Sequence, residues 1–303
     1  MPARAPATGG GLPPLRMLLA LAVMLVWGTN FVIIRIGLDH LPPLLFAALR
    51  FTLVFVPACL FIKKPAGVPW RDLAAYGVLI GAGQFGLLFI AMNGHISPGL
   101  VSVVVQIQVF FTIGFSMLTL GERMQRYQWI ALALSAAGLI LIAVEGGGAA
   151  TPLGLVLTLG AALSWAAGNT VARRSPGANM LAYVVWSGVF AALPLYALSF
   201  ALEGWTAIRN GVMRADALTW AAVVWQSVGN SLFGYAVWGW LLARHPAGVV
   251  APLALLVPII GLASAAVVLA EPMQPWKLLA AGLVLAGLAF NLLWPRVRGR
   301  FGL

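Results

Sequence analysis

Polar side chains recur inside the long apolar stretches of this 303-residue sequence, and they are the residues that could contact a solute. Asn30 follows Trp27 by three residues, and Asn169 follows Trp165 by four, so each pair shares one face of a helix. Amide side chains that face lipid are costly, so these are expected to point into a helix bundle. The two pairs therefore predict either a shared solute cavity or hydrogen bonds between neighbouring helices.

Two glutamines extend this candidate substrate-binding set. Gln84 shares a helix face with Gly77 and Gly81, and a Gly-xxx-Gly face lets another backbone approach closely, so Gln84 is expected to face protein. Gln106 is preferred over Gln108, because two residues advance a helix by about 200° and place these side chains on nearly opposite faces. We expect Gln106 to face the cavity and Gln108 to hydrogen-bond a neighbouring helix.

Further along the chain, Asn230 and Trp238 project to similar sides of one segment. Together they could bind an amphipathic solute through amide hydrogen bonds and ring contact. Pro252 and Pro258 each remove a backbone donor, which predicts either hinges or exposed carbonyl groups that accept from an ammonium group. Arg50 is the one charge well inside an apolar stretch, and it either meets a solute carboxylate or extends to the membrane surface.

The acidic residues indicate structural roles. All seven Asp and Glu residues fall at the ends of apolar segments or between them, so the sequence places no carboxylate at mid-membrane for a proton relay. Glu122 and Glu271 begin two equivalent turns, where each is expected to cap the following helix and favour its dipole. Transport by this chain would then be facilitative or only weakly coupled to ions.

The sequence offers little for catalysis, metal binding or a cofactor. It has no HExxH motif, no glycine-rich phosphate loop and no cluster of His, Asp and Glu residues. His40, His95 and His245 lie apart between apolar segments, and the single cysteine, Cys59, excludes an internal disulfide. We predict no catalytic residue, metal site or cofactor. The alternatives are a membrane-embedded transferase acting on lipid-linked substrates, a channel, or a carrier of drugs or other metabolites.

These polar residues must be positioned by membrane helices. Hydrophobic residues make up 62% of the chain and charged residues 8%, with a mean hydropathy of +0.98. Such a chain cannot bury its apolar side chains in a water-soluble globule, so lipid must be its solvent. The excess of 18 Lys and Arg over 7 Asp and Glu does not indicate nucleic acid, because the charges lie singly between apolar segments.

A bilayer core of about 30 Å needs about 20 apolar residues per helix. The sequence supplies ten such segments, at 16–36, 43–62, 72–92, 99–120, 128–144, 152–171, 180–202, 218–242, 249–270 and 276–294. Proline and glycine mark most of the short connections, and only 203–217 leaves room for a longer loop. The predicted fold class is therefore an all-α integral membrane protein with ten transmembrane helices.

Lys and Arg resist translocation, so their distribution predicts orientation. Most of them fall on the side of the N-terminus, namely Arg4, Arg16, Lys63, Lys64, Arg71, Arg123, Arg126, Arg173, Arg174, Arg244, Arg296, Arg298 and Arg300. Only Arg35, Arg209, Arg214 and Lys277 fall on the other side. We expect both termini in the cytoplasm and the chain in a bacterial-type inner membrane.

An internal repeat relates the two halves. Residues 99–142 align with 248–291 at an offset of 149, and a Glu-x-Met-Gln motif recurs at that register. Five helices per copy is an odd number, so the second copy must cross the membrane in the opposite direction. Inverted repeats are typical of transporters with a central site. We predict a disordered cytoplasmic tail at 1–15, repeats at 16–146 and 150–295, and a basic cytoplasmic tail at 296–303.

Five segments carry a likeness to a known family: VWGTNFVIIRIGL (26–38), PPLLFAALRF (42–51), GLVSVVVQIQVFFTIGFSMLTLGER (99–123), SWAAGN (164–169) and VVAPLALLVPIIGLASAAVVLAE (249–271). The chain resembles the EamA family of the drug/metabolite transporter superfamily over nearly its whole length. It is most similar to bacterial cysteine and O-acetylserine exporters, and less so to YddG-type aromatic amino-acid exporters. The resemblance implies a central cavity, alternating access and export of amino acids or related metabolites, and it points to a structural role for Arg50. The expected partners are a small-molecule substrate and the bilayer, and the expected state is a monomer.

Overall fold

A computed structural model describes residues 12–120, 125–245 and 247–301. Within these residues the chain is helical and has no extended strand. Ten helical segments follow one another: α1 (Pro14–Gly37), α2 (Pro43–Phe55), α3 (Trp70–Met92), α4 (98–120), α5 (Arg126–Glu145), α6 (Pro152–Ala172), α7 (180–203), α8 (217–244), α9 (247–268) and α10 (Pro275–Phe301).

Nine of the ten predicted spans are long and apolar enough to cross a membrane, and the exception among the described residues is α8. The second span is α2 together with the turn that follows it, Pro43–Leu60. Helix α8 is continuous but more polar, and it buries Gln226, Ser227, Asn230 and Ser231 among other helices. A polar span is acceptable when its polar face meets protein, because lipid then touches only its apolar face.

Two segments differ from expectation. The chain between α7 and α8 was predicted as a loop but contains a surface helix, Gly204–Arg214. This helix buries Ile208, and Gly211 packs so closely that a Cβ there would lie 2.6 Å from Pro42. Helix α10 also continues to Phe301, through most of the predicted basic tail, because arginine is a good helix former.

Two predictions fall on parts of the chain that the structure leaves undescribed. Residues 1–11 of the predicted N-terminal tail lie outside the described residues, and α1 begins at Pro14. Glu122, one of the two expected helix caps, also lies outside them.

Helix packing follows the inverted repeat. Equivalent helices of the two halves pack together, α2 on α7 and α5 on α10. Helix α1 packs against α8 and α9, and α6 packs against α3 and α4. The first helix of each repeat thus contacts the third and fourth helices of the other. This exchange leaves a central space between the halves.

Glycines permit the closest of these contacts. In the α5–α10 pair, a Cβ on Gly138 would lie 2.7 Å from the Ala280 carbonyl oxygen, and one on Gly287 would lie 2.5 Å from the Ala131 carbonyl oxygen. As predicted from the Gly-xxx-Gly face of α3, Gly81 also meets a neighbouring helix at backbone distance.

The backbone departs from α-helical geometry at equivalent places in both repeats. The third helices carry π-helical segments and the fourth helices carry 3₁₀ turns, at Leu79–Gly86, Trp225–Phe233, Val105–Ile107 and Ala251–Leu255. Pro252 lies in the α9 turn and Pro258 just after it. Irregular backbone at membrane depth is tolerated where it lines a cavity or is buried in protein. Whether the two prolines act as hinges stays a prediction.

Candidate functional site

A cavity of about 470 Å³ lies between the repeats. Eight helices form its wall, and α2 and α5 contribute no lining residue. All four irregular segments contribute to the wall, for example through Gln84 of the α3 π-helical segment and Ala254 of the α9 turn. The volume is in the range of small-molecule sites in proteins.

The structure brings all the predicted substrate-binding residues to this wall. The set is Trp27, Asn30, Gln84, Gln106, Trp165, Asn169, Asn230 and Trp238. Of the predicted hinge prolines, Pro258 lines the cavity as well. Binding of a solute by these side chains stays a prediction.

Gln108 was expected to face away from Gln106, and this expectation is wrong because both residues line the cavity. The α4 backbone is a 3₁₀ turn over Val105–Ile107. Each 3₁₀ residue advances the chain by about 120°, which turns the two glutamines towards each other relative to an α-helix. Gln108 also accepts a hydrogen bond from Thr112 Oγ1 at 3.3 Å.

The cavity wall is mostly apolar, and its polar groups are uncharged. Among the described residues, none of those that line it is acidic, basic or a histidine. Its polar groups are amides and phenols, namely Asn30, Gln84, Gln106, Gln108, Asn169, Asn230, Asn291, Tyr76 and Tyr235. Sequence reasoning missed Asn291, although it is an amide inside the apolar segment of α10.

Several of these amides lack partners. Asn30 Oδ1, Gln84 Oε1 and Asn291 Oδ1 are buried and have no hydrogen-bond partner in the described residues. A buried acceptor left unpaired costs about 1–3 kcal/mol. A donor group that reached these oxygens after a local rearrangement of the wall would recover this energy.

Aromatic rings form a second part of the wall. The Trp27 ring centroid lies 5.7 Å from that of Tyr235 and 5.5 Å from that of Trp238, in tilted arrangements. Trp27 Nε1 donates to the Asn230 carbonyl oxygen at 3.2 Å, which fixes the ring between α1 and α8. Gly234 makes room for this indole, because a Cβ there would lie 2.3 Å from Trp27 Nε1.

The cavity lies towards one membrane face. Its wall includes Met180 at the start of α7, Leu242 near the end of α8 and Ala251 near the start of α9. These helix ends share a face with the start of α1, where Arg16 Nη1 lies 2.9 Å from His245 Nε2. We call this face the cavity side and the opposite face the closed side.

A carboxylate network holds the closed side. Glu271 accepts from Ser97 Oγ at 2.5 Å and from the Gly99 amide at 3.1 Å, and it pairs with Lys277 Nζ at 2.9 Å. The Lys277 and Glu271 side chains are only 1% and 7% exposed. Glu271 therefore caps α4, in the other repeat. The prediction that it caps the following helix is wrong, because the free N–H groups nearest to it belong to a helix distant in sequence.

A second glutamate acts in the same way. The Glu203 carboxylate accepts from the amides of Leu44 and Leu45 at 2.6 Å and 3.1 Å, so it caps α2 from the other repeat. Sequence reasoning missed this contact. Near the Glu271 cap, Gly261 of α9 packs against Ser102 of α4, where a Cβ on the glycine would lie 2.5 Å from Ser102 Oγ. The closed side is thus packed and hydrogen-bonded.

Arg50 is fully buried, which excludes the expected alternative of extension to the membrane surface. It lies behind the cavity wall. Its guanidinium stacks on Phe85, with Cζ 3.6 Å from the ring centroid. Nη2 and Nε donate to Ser231 Oγ at 3.0 Å and 3.3 Å.

An all-helical chain with two inverted repeats and a solute-sized cavity towards one membrane face has the architecture of a membrane transporter. The sequence profile of the EamA-like transporter family matches the chain twice, over residues 15–144 and 152–293. The protein therefore belongs to this family, and each match covers five of the ten helices.

Known proteins support this assignment. The chain is 42% identical over 286 residues to a probable amino-acid metabolite efflux pump of Salmonella typhimurium, covering 92% of this chain and 95% of that protein. It is 38% identical to a protein of the same description in Escherichia coli, with the same coverage. A solved crystal structure that is 21% identical matches with a TM-score of 0.63, covering 94% of this chain and 99% of the other, which shows a shared fold.

Proposed function

We propose that this protein exports amino acids or closely related metabolites across the bacterial inner membrane by alternating access, with both termini in the cytoplasm. The observation that carries the proposal is the cavity wall, which among the described residues holds amides and aromatic rings but no charged side chain. The names of the Salmonella and Escherichia relatives point to the same substrate class.

A zwitterion suits this wall better than an ion with a net charge. A net charge taken from water into an uncharged cavity loses hydration without gaining a counter-charge. The two charges of an amino acid compensate each other, and each can be hydrogen-bonded by amides. The unpaired oxygens of Asn30, Gln84 and Asn291 would accept from the ammonium group once a local movement of the wall exposes them, and the Trp27 cluster would contact an apolar side chain.

The same wall favours a carrier without strong ion coupling. Among the described residues it offers no carboxylate to carry a proton, so we infer that the substrate gradient itself drives export. A transferase would need a base or nucleophile beside its substrate, and amides and phenols are poor candidates for both. One chain supplies both repeats, so a monomer is sufficient for transport.

Counterflow in liposomes tests the proposal. Purified protein is reconstituted and loaded with unlabelled amino acids, and uptake of each radiolabelled amino acid of a panel is followed. Saturable counterflow of at least one amino acid is expected. Flux that never saturates would indicate a channel, and an absence of counterflow across the whole panel would overturn the substrate class.

Thiol labelling tests the orientation. Cysteines introduced at Lys63 and Arg173, in a chain whose Cys59 is replaced by alanine, should react with a membrane-impermeant maleimide only from the cytoplasmic side, because basic loops resist translocation. A cysteine at Arg209, on the surface helix of the closed side, is the control and should react from outside. Labelling of either basic position in intact cells would overturn the orientation.

A further inference from the structure

Arg50 is a buried cation without a counter-ion. Its side chain is 0% exposed, and in the described residues no carboxylate lies within salt-bridge distance of it. An arginine keeps its charge even when buried, so this charge must be stabilised by other means. The Ser231 hydroxyl and the Phe85 ring provide part of that stabilisation, but Nη1 has no hydrogen-bond partner.

This incomplete pairing is unusual for arginine. Buried charges in proteins are normally paired, since an unpaired one costs several kcal/mol. The guanidinium group presents five N–H donors in a planar fork that matches a carboxylate. In a transporter, a solute carboxylate that reached this group during part of the cycle would complete its pairing.

The location fits that requirement. A small void of about 10 Å³, with room for about one water molecule, adjoins Arg50. Tyr76, Phe85 and Tyr235 line this void and also line the main cavity. A thin layer of three aromatic side chains is therefore what separates the guanidinium from a solute in the cavity.

The separating layer rests on deformable backbone. Phe85 belongs to the π-helical segment of α3, and Ser231 belongs to that of α8. Single π-helical segments often mark functional sites in helices. Alternating access moves helices of the two repeats past each other, and these two segments are placed to change how Phe85 covers Arg50.

We propose that Arg50 recognises the carboxylate of the transported solute, which it reaches when Phe85 moves off the guanidinium during the transport cycle. This inference rests on the proposed function and narrows its substrate class to molecules with a free carboxylate next to an ammonium group. The bound carboxylate takes the place of the Phe85 ring and satisfies Nη1. Arg50 is then the fixed charge that sets the direction in which the solute lies in an otherwise uncharged cavity.

Matched ligands test this role. Counterflow of a radiolabelled amino acid is inhibited with phenylalanine, leucine, serine or cysteine, and in parallel with the α-carboxamide of each. Wild-type protein should prefer the acids by about tenfold or more, as expected for a charge-assisted hydrogen bond. In the Arg50→Gln variant this ratio should fall at least several-fold, while inhibition by the amides stays unchanged; a residual preference for the acids is expected, because an amino-acid amide carries a net positive charge into an uncharged wall. Arg50→Lys should give an intermediate ratio, because lysine keeps the charge without the fork.

Two further variants provide a control and an independent test of the role of Arg50. Arg35→Gln removes an exposed arginine from its ion pair with Asp39 and should leave the ratio unchanged. Phe85→Leu should raise the ratio even if Arg50→Gln does not fold, because the ring that competes with the carboxylate is gone. A structural role for Arg50 predicts no such increase.

The outcomes separate the two proposals. Wild-type counterflow with equal inhibition by acids and amides would overturn the role of Arg50 and leave amino-acid export standing. An Arg50→Gln variant that keeps the wild-type ratio, or that weakens acids and amides alike, would overturn it too, as would a Phe85→Leu variant whose ratio does not rise. A wild type that carries no amino acid would overturn the proposed function, and this inference with it.

Discussion

The two sides of the membrane bundle are built from different polar chemistry. On the closed side, Glu203 and Glu271 bind helix amides across the repeats, and Lys277 completes a buried ion pair. On the cavity side the wall holds amides such as Asn30 and Gln84, which leave acceptors unpaired. The two carboxylates on the closed side are thus paired with protein, whereas several amides of the cavity wall keep an oxygen that has no partner in the described residues.

This difference explains how one fold can both seal and bind. The hydrogen bonds that a carboxylate accepts from two backbone amides are strong and directional, which suits a contact that must block solute flow. Neutral amides can exchange a solute for water at little cost, which suits a site that must release its contents.

The largest loss of stability is expected when the buried ion pair of the closed side is removed. Glu271→Gln leaves Lys277 buried without a counter-charge, and loss of one partner of a buried pair costs about 3–5 kcal/mol. Thermal unfolding in detergent should show a large fall in melting temperature and a lower yield. Because Glu271 is a structural cap here, the pH dependence of transport should stay as in the wild type.

Two controls belong to that prediction. Glu145→Gln changes an exposed carboxylate and should leave stability unchanged. The double variant Glu271→Gln with Lys277→Met removes both charges and should recover part of the lost stability. Normal expression of Glu271→Gln together with loss of proton-driven accumulation would show that Glu271 couples transport to protons.

A smaller effect, on binding, is expected where the cavity side is changed. Asn30→Ala, Gln106→Ala and Asn169→Ala should each weaken the apparent affinity for the substrate about five- to tenfold, because each removes one hydrogen bond to the solute. Gln106 is expected to be the most sensitive. Transport rate per folded molecule is measured together with thermal stability. Thr170→Ala, which removes a hydroxyl bonded to its own helix, is the control.

The opposite outcome would remove the contrast between the two sides. If all three amide variants unfold early while the surviving molecules transport at the normal rate, these side chains join helices together. The cavity side would then be held by polar pairing just as the closed side is.

The Trp27 indole could contribute both to stability and to solute contact. Trp27→Phe keeps a ring in the aromatic cluster but loses the hydrogen bond from Nε1 to the Asn230 carbonyl oxygen. We expect a loss of stability of about 1 kcal/mol, with the affinity for the substrate reduced no more than threefold. Trp240→Phe is the matched control, since that ring meets Arg16 and Arg244 outside the cavity. A larger loss of affinity than of stability would make Trp27 a ligand contact.

Sequence reasoning located the cavity residues better than the closed side, for a physical reason. Burial of an amide such as Asn30 or Asn169 follows from the cost of exposing it to lipid, which depends on local sequence alone. The caps made by Glu203 and Glu271 depend on partners 159 and 172 residues away, which no local pattern reveals. Gln108 was misplaced for a third reason, since helical periodicity assumes α geometry and α4 departs from it at a 3₁₀ turn.

The smallest effect on the melting temperature is expected at Asp216, an exposed cap on the closed side, in contrast to the buried cap Glu271. Asp216 caps α8 by accepting from the Thr219 amide at 2.8 Å and from Thr219 Oγ1 at 2.7 Å, and these hydrogen bonds hold the pKa of Asp216 below its usual value. A carboxylate with a lowered pKa in the folded state stabilises the protein above its unfolded pKa, and this contribution is lost as pH falls through the folded pKa.

Asp216→Asn keeps a good capping residue without the charge, so it should leave the melting temperature at pH 7 nearly unchanged and flatten its decline only at acidic pH. Melting curves across this range should therefore show a slight difference for Asp216→Asn beside the large loss for Glu271→Gln. Equal losses for the two variants at pH 7 would mean that burial of the Glu271 ion pair is not what makes the closed side stable.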